Sequence, residues 1–116
     1  MLMIEDMERK KLMSKIVAND FAELNGAIMR TISTVFKSRW FKVSDLMVVF
    51  TDRQEGEILE AFNYLEKAEY LKARDIVSKA EIEIQYAEPD KTESILTAKG
   101  IRLVKYFETD DAVNII

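Results

Sequence analysis

The spacing of apolar residues along this chain predicts two helices in its first third. An apolar stripe with steps of three or four residues, as on one face of an α-helix, indicates a first long helix over residues 20–37. Its members are Phe21, Leu24, Ile28, Ile32, Val35 and Phe36. Asp20 and Glu23 match a capping box, in which two side chains accept from the free N–H groups at a helix start. The preceding residues 1–18 predict a separate N-terminal helical extension, acidic first and basic later, which suits the helix macrodipole.

Two further segments predict a helix–turn–helix. Residues 44–50 form the predicted second helix, with Ser44 as the N-cap that accepts from the first free N–H groups. Asp52 and Glu55 repeat the capping-box pattern, and the residues that follow carry apolar side chains on one helical side. We therefore expect a third helix, of the recognition type, over residues 54–68.

Residues 70–96 are predicted to hold the strands. A short strand follows the third helix directly, and residues 81–86 alternate polar and apolar side chains, which is the period of a half-buried strand. Pro89 suits the first corner of a turn, after which the chain would return as a partner strand. Residues 81–96 are therefore expected to form a hairpin.

The last helix is predicted over residues 98–108, with Thr97 as its cap. Gly100 lies one turn inside it, where Gly costs up to about 1 kcal/mol relative to Ala. Its presence there indicates close packing of the backbone. The final residues 110–116 end in an apolar tip, for which two alternatives stay open: a frayed tail, or a tail docked on its own domain or on a partner.

Two segments carry a resemblance to a known fold. Residues 65–71 (LEKAEYL) match the end of a helix that feeds straight into a strand, and residues 94–104 (SILTAKGIRLV) match a strand that stops at a capping Thr. In this order of elements the chain resembles the winged-helix domains of small regulators of the MarR, PadR and ArsR kind. The resemblance covers roughly the last three quarters of the chain, and the length of 116 residues predicts one domain over residues 1–116. The fold that the resemblance implies is mainly α with a small antiparallel β wing (α+β): a winged helix-turn-helix with an extra N-terminal helix. It also implies a homodimer through the N-terminal and C-terminal helices, with a recognition helix that enters the major groove of DNA.

Composition excludes most kinds of catalytic site. The chain has no cysteine and no histidine, so thiolates, imidazole bases and the usual transition-metal ligands are missing. Gly26, Gly56 and Gly100 are too far apart to build a phosphate-binding loop. We therefore expect a non-enzymatic protein with no catalytic residues, no cofactor and no metal. No apolar run approaches the roughly 20 residues of a membrane span, and the early acidic residues do not fit a signal peptide, so we expect a cytoplasmic protein with no membrane partner.

Charge is distributed unevenly, and this bears on DNA binding. Residues 43–70, which hold the predicted helix–turn–helix, contain two basic and seven acidic residues. DNA binding draws much of its affinity from Lys and Arg on phosphates, so an acidic recognition helix works against it. Basic and amide side chains could still form a rim around that helix, whereas Trp40 and Phe41 are interpreted as core side chains. The candidate DNA-binding residues are Lys42, Ser44, Arg53, Gln54, Asn63, Lys67, Lys72, Arg74, Lys79 and Lys91.

Two functions of different classes follow from these observations. The first is binding of double-stranded DNA by a small homodimeric transcriptional regulator, or by a phage- or plasmid-type accessory factor; it is favoured because this fold often binds DNA. The alternative is a winged-helix protein–protein interaction module whose acidic third helix docks a basic partner. The Met-rich N-terminal segment and the apolar C-terminus are the expected dimer surfaces, since Met suits adaptable interfaces.

Overall fold

A helix of 33 residues, α1 (Leu2–Thr34), runs the length of the molecule in the computed structural model, which describes residues 2–116 and the side chains from Glu5 onward. The remaining elements pack along the C-terminal half of α1. In chain order they are β1 (Phe41–Lys42), α2 (Val43–Val49), α3 (Glu55–Lys67), β2 (Leu71–Asp75), β3 (Thr92–Leu96) and α4 (Ala98–Val104). Within the described residues the fold has four α-helices and one small antiparallel sheet, so the predicted mixed α and β class is confirmed.

The prediction of two separate N-terminal helices, over residues 1–18 and 20–37, is wrong because α1 is continuous through Asp20. No Gly or Pro interrupts the sequence at this point, and Asp20 does not cap a helix. Its carboxylate instead accepts two hydrogen bonds from Arg53, at 2.7 and 2.8 Å. The helix ends at Thr34, and Lys37 and Ser38 then adopt left-handed backbone angles that turn the chain.

The starts of α2 and α3 differ from the predicted caps. β1 leads directly into α2, so the extended Lys42 is the N-cap residue, and Ser44 lies inside the first turn. Gln54 occupies the corresponding position of α3, and neither N-cap side chain accepts a capping hydrogen bond. The predicted caps at Ser44 and Asp52 are therefore wrong, whereas the extent of the third helix is confirmed to within a residue at each end.

The sheet has the order β1-β3-β2, so β3 is its central strand. β3 pairs antiparallel with β2 from Leu71↔Leu96 to Asp75↔Thr92. The predicted hairpin over residues 81–96 is wrong, because residues 84–86 form a 3₁₀ turn and Glu81 makes only an isolated bridge to Arg74.

The segment that connects β2 to β3 folds back onto α3. Ile84 is fully buried there, and its backbone N–H donates to the carboxylate of Glu66 at 3.1 Å. Burial raises the pKa of Glu66, and the hydrogen bond from Ile84 opposes that rise. Ile84 of this segment is thus buried against a helix and not by a partner strand, whereas Tyr86 is exposed.

The hydrophobic core lies between α1, α3 and the inner face of the sheet. Phe62 of α3 is fully buried, and Phe41 stacks on Phe36 and lies tilted against Phe62. Ile28 and Ile32 of α1 fill the opposite side of this core. The prediction that Phe41 is a core side chain is confirmed.

The start of α4 is confirmed, and its predicted end is wrong. Thr97 accepts from the Gly100 N–H at 3.1 Å, which is the predicted cap. A Cβ at Gly100 would lie 2.2 Å from the carbonyl oxygen of Tyr70, so the close packing expected there exists. The helix ends at Val104, short of residue 108, because Tyr106 adopts a left-handed φ of 67°.

The C-terminal tail, residues 110–116, docks on α1 of its own domain. The Asn114 N–H donates to the Ala22 carbonyl at 2.9 Å, and Val113 and Ile115 are buried. A Cβ at Gly26 would lie 1.6 Å from the Asn114 carbonyl oxygen, so only Gly permits this approach. The apolar tail is therefore not the free dimer surface that was expected, since these two side chains already have intramolecular partners.

The carboxylate of Asp110 connects the tail to the rest of the domain through hydrogen bonds. Tyr64 and Tyr70 both donate to Asp110, each at 2.7 Å, and the Ala112 N–H donates to its other oxygen. Burial would raise the pKa of Asp110, but these hydrogen bonds outweigh it and hold the pKa below its usual range. Burial, together with the Asp110 charge, raises the pKa of Tyr64 to about 12.

Candidate interaction surfaces

The outer face of the sheet brings four of the predicted DNA-binding residues together. Lys42 and Arg74 lie on either side of Glu93 in one row across the three strands. Lys72 lies two residues from Arg74 along β2, on the same face, and Lys79 reaches Glu93 from the segment after β2. We call this surface the cationic sheet face. The half-buried Trp40 lies on it too, because the Arg74 guanidinium stacks 3.6 Å from the centre of its ring.

Carboxylates neutralise part of the cationic sheet face. Glu93 accepts from Arg74 at 2.6 Å and from Lys79 at 3.0 Å. Burial would raise the pKa of Glu93, but these two cations lower it overall. Glu81 stands directly opposite Arg74. Among the described side chains, only Lys42 and Lys72 of this group form no ion pair, and Lys72 lies 5.8 Å from the Trp40 ring centre.

The outward side of α3 is acidic, and three predicted DNA-binding residues on or beside it already have side-chain partners within the chain. Arg53 pairs with Asp20 at 2.7 Å and with Glu57 at 3.1 Å, and these hydrogen bonds raise its pKa further above its usual range. Lys67 donates to Asn63 at 3.1 Å. Because these cationic side chains already have partners within the chain, they are less available to bind a DNA phosphate.

The other predicted DNA-binding residues do not join either group. Lys91 pairs with Glu88 at 3.1 Å in the turn before β3. Ser44 is half-buried in α2, and Gln54 is exposed at the start of α3. The ten candidates therefore divide between the sheet, α3 and three isolated positions.

A groove that sequence analysis missed lies between α1 and α3. It has a volume of about 660 Å³, with a floor of Met13, Val17, Phe21 and Leu24. Its rim is acidic, formed by Asp20, Glu57 and Glu60. Arg53 neutralises one rim charge, so the rim keeps a surplus of negative charge. We call this feature the α1–α3 groove.

The N-terminal half of α1 projects beyond the body of the domain, and every residue from Glu5 to Asp20 is exposed. The large apolar side chains on this projecting segment are between 52% and 64% exposed. They are Met7, Leu12, Met13, Ile16 and Val17. Single exposed apolar residues such as Met7 are common on protein surfaces, but the other four are neighbours along the helix beside an apolar groove, and such a set marks an interaction surface.

The sequence contained one indication of this surface, namely apolar residues at helical spacing on both sides of Asp20. That indication has value only when α1 is continuous, because a break at Asp20 would separate Met13 and Val17 from Phe21 and Leu24.

Two general observations complete the description. Within residues 2–116, none of the helices combines the length and the apolar character that crossing a membrane would require. Comparisons with known protein families, with curated proteins and with solved structures find no match to this chain.

Proposed function

We propose that this chain is a protein-interaction module that docks a basic amphipathic helix in the α1–α3 groove. The observation that carries the proposal is the combination of an apolar floor with an acidic rim. An amphipathic helix binds such a groove with its apolar side chains on the floor, at spacings of three, four and seven residues. Cations that flank those apolar side chains would meet Glu57 and Glu60.

The two parts of the groove would make different contributions to binding. Removing apolar surface from water stabilises a complex by roughly 25 cal/mol per Å², so the floor supplies most of the affinity. Exposed charge pairs contribute at most about 1 kcal/mol each, but they speed association and exclude acidic partners. The rim therefore provides selectivity for a basic helix.

A matched pair of peptides tests this proposal by calorimetric titration. One peptide carries Leu on one helical face and Lys on the other, and its counterpart carries Glu in place of every Lys. We expect the Lys peptide alone to bind, and we expect Glu57→Gln with Glu60→Gln to weaken binding by roughly tenfold. Asp45→Asn with Asp90→Asn, two exposed carboxylates away from the groove, is the control for lost charge. Equal binding of both peptides, or of neither, would refute the proposal.

A second candidate function is DNA binding by a winged helix, and the cationic sheet face favours it. Lys42 and Lys72 form no ion pair among the described side chains, and Trp40 offers an aromatic surface beside them. In this alternative the sheet contacts the phosphate backbone, since the outward side of α3 is acidic. DNA and protein binding thus use different faces of the domain.

Fluorescence anisotropy on mixed-sequence duplex DNA, titrated from low to physiological salt, tests this second function. Binding should weaken steeply with salt, and Lys42→Ala with Lys72→Ala should flatten the slope, since each lost phosphate contact changes it by about one. Lys105→Ala, an exposed lysine at the end of α4, should leave the slope unchanged. An unchanged slope in the double variant would remove the sheet from the DNA site.

A further inference from the structure

We propose that the helix that docks in the α1–α3 groove is the N-terminal half of α1 from a second copy of this chain. The proposal rests on the proposed function, since it names the partner of the same groove. Each copy would offer its projecting helix and receive that of the other. The interface is then isologous and closes as a two-fold dimer.

Charge complementarity within the chain is the first argument. The projecting segment of α1 carries a basic cluster of Arg9, Lys10, Lys11 and Lys15, all exposed. The rim of the groove carries the opposite charge on Asp20, Glu57 and Glu60. The chain therefore carries both the acidic groove and a basic helical segment of the kind that the groove would bind.

The apolar side chains match in the same way. The projecting segment presents Leu12 and Ile16, which are four residues apart and each more than half exposed, next to its basic cluster. Exposed residues 5–20 span about 24 Å at 1.5 Å per residue, which is long enough to run along the groove. Met13 on the floor of the groove can adjust to such side chains, because methionine is unbranched and flexible and fills irregular apolar gaps easily.

The order of charges along α1 selects an antiparallel arrangement. In a parallel pair the two basic clusters would lie side by side and repel each other. In an antiparallel pair that crosses near Val17, which lines the groove, residues 9–11 of each copy lie beside residues 23–25 of the other, towards its body. That placement brings the cations to Glu57 and Glu60, the exposed carboxylates on the outward side of α3.

The dimer would change what α3 can contact. Its acidic side would be covered by the second copy, and its negative charge would be neutralised by the lysine and arginine side chains of that copy. The cationic sheet face would stay open in both copies, since none of its residues lines the groove. Self-association and the second candidate function are therefore compatible.

Charge exchange between two variants of the full chain tests the proposal, with sedimentation as the readout. Wild type should dimerise at micromolar to hundred-micromolar concentrations. Lys10→Glu with Lys11→Glu and Lys15→Glu should weaken self-association by roughly tenfold to a hundredfold, and so should Glu57→Lys with Glu60→Lys. An equimolar mixture of the two variants should form a mixed dimer, because each supplies what the other has lost. Asp45→Lys with Asp90→Lys, which adds the same charge away from the groove, should dimerise as wild type does.

The outcomes separate this proposal from the proposed function. If wild type stays monomeric at every concentration yet binds the Lys peptide, self-docking is refuted and the groove remains a docking site for another protein. If wild type neither dimerises nor binds the peptide, both fail. If it dimerises and the charge variants still pair with themselves, the dimer uses another face and the proposal is refuted. Circular dichroism of each variant, with a thermal midpoint near that of wild type, verifies that it is folded.

Discussion

Substitution of Gly26 by Ala should separate the C-terminal tail from α1. A Cβ at this position would lie 1.6 Å from the Asn114 carbonyl oxygen and 2.4 Å from the attached carbon. Both atoms belong to the backbone, so no side-chain rotation can relieve the overlap. The tail must move, and its hydrogen bonds to Ala22 and Asn25 are lost.

The magnitude follows from what the tail buries. Val113 is 4% exposed and Ile115 is 8% exposed, and burial of each such side chain is worth about 1.5–3 kcal/mol. The backbone freedom that a released tail regains offsets part of this, so we expect a net loss of about 2–3 kcal/mol. For a chain of this size the thermal midpoint should fall by roughly 8–12 °C.

Thermal unfolding followed by circular dichroism is the assay, and Gly56→Ala is the matched control. Nothing lies within 4 Å of a Cβ at Gly56, which is exposed in the first turn of α3. Replacing a helical Gly by Ala there should raise stability by up to about 1 kcal/mol. In a chain that ends at Asp111, Gly26→Ala should stabilise for the same reason. The reasoning is refuted if Gly26→Ala in the full chain raises the midpoint as Gly56→Ala does.

Three further predictions concern single side chains. Asp110→Asn should cost about 1–3 kcal/mol at neutral pH through its weakened hydrogen bonds with Tyr64 and Tyr70. Because the folded-state pKa of Asp110 is lowered, wild type loses this stability as the pH falls through that value. The difference in unfolding free energy between wild type and Asp110→Asn should therefore shrink in acid. Urea unfolding that shows a constant difference from pH 7 to 3 would contradict this. Phe62→Ala should cost roughly 3–5 kcal/mol through a core cavity, and Tyr86→Ala, at a 79% exposed position, should cost almost nothing in the same unfolding measurement. Thr97→Ala should cost about 1 kcal/mol, whereas Ser44→Ala should leave the thermal midpoint unchanged because Ser44 caps no helix.

Local patterns predicted those parts of the fold that depend on neighbouring residues. The third helix has one apolar side throughout, and its limits were confirmed to within a residue. Thr97 caps α4 because its hydroxyl accepts from an N–H only three residues on. In both cases the partners lie within about one helical turn, which a single sequence displays directly.

Features set by distant partners could not be predicted in this way. Asp20 resembles a helix N-cap residue, but its carboxylate accepts hydrogen bonds from Arg53, 33 residues away, and the helix continues through it. The alternation at residues 81–86 fits a strand equally well, but α3 buries Ile84 and Glu66 binds its N–H. The same distinction applies to the two candidate surfaces, the cationic sheet face and the α1–α3 groove. Side chains of β2 and β3 meet through strand pairing, whereas the groove depends on how α1 crosses α3.

The tail that packs beside Gly26 also determines when the fold can be completed. Asn25 and its partner Ala112 are 87 residues apart in the chain. At a synthesis rate of 5–20 residues per second, this delay lasts roughly 4–17 s for a chain growing on a ribosome. During that interval the flank of α1 that receives Val113 and Ile115 is open to solvent and to other proteins. Nascent chains would thus meet chaperones, or one another, through α1 before the domain closes.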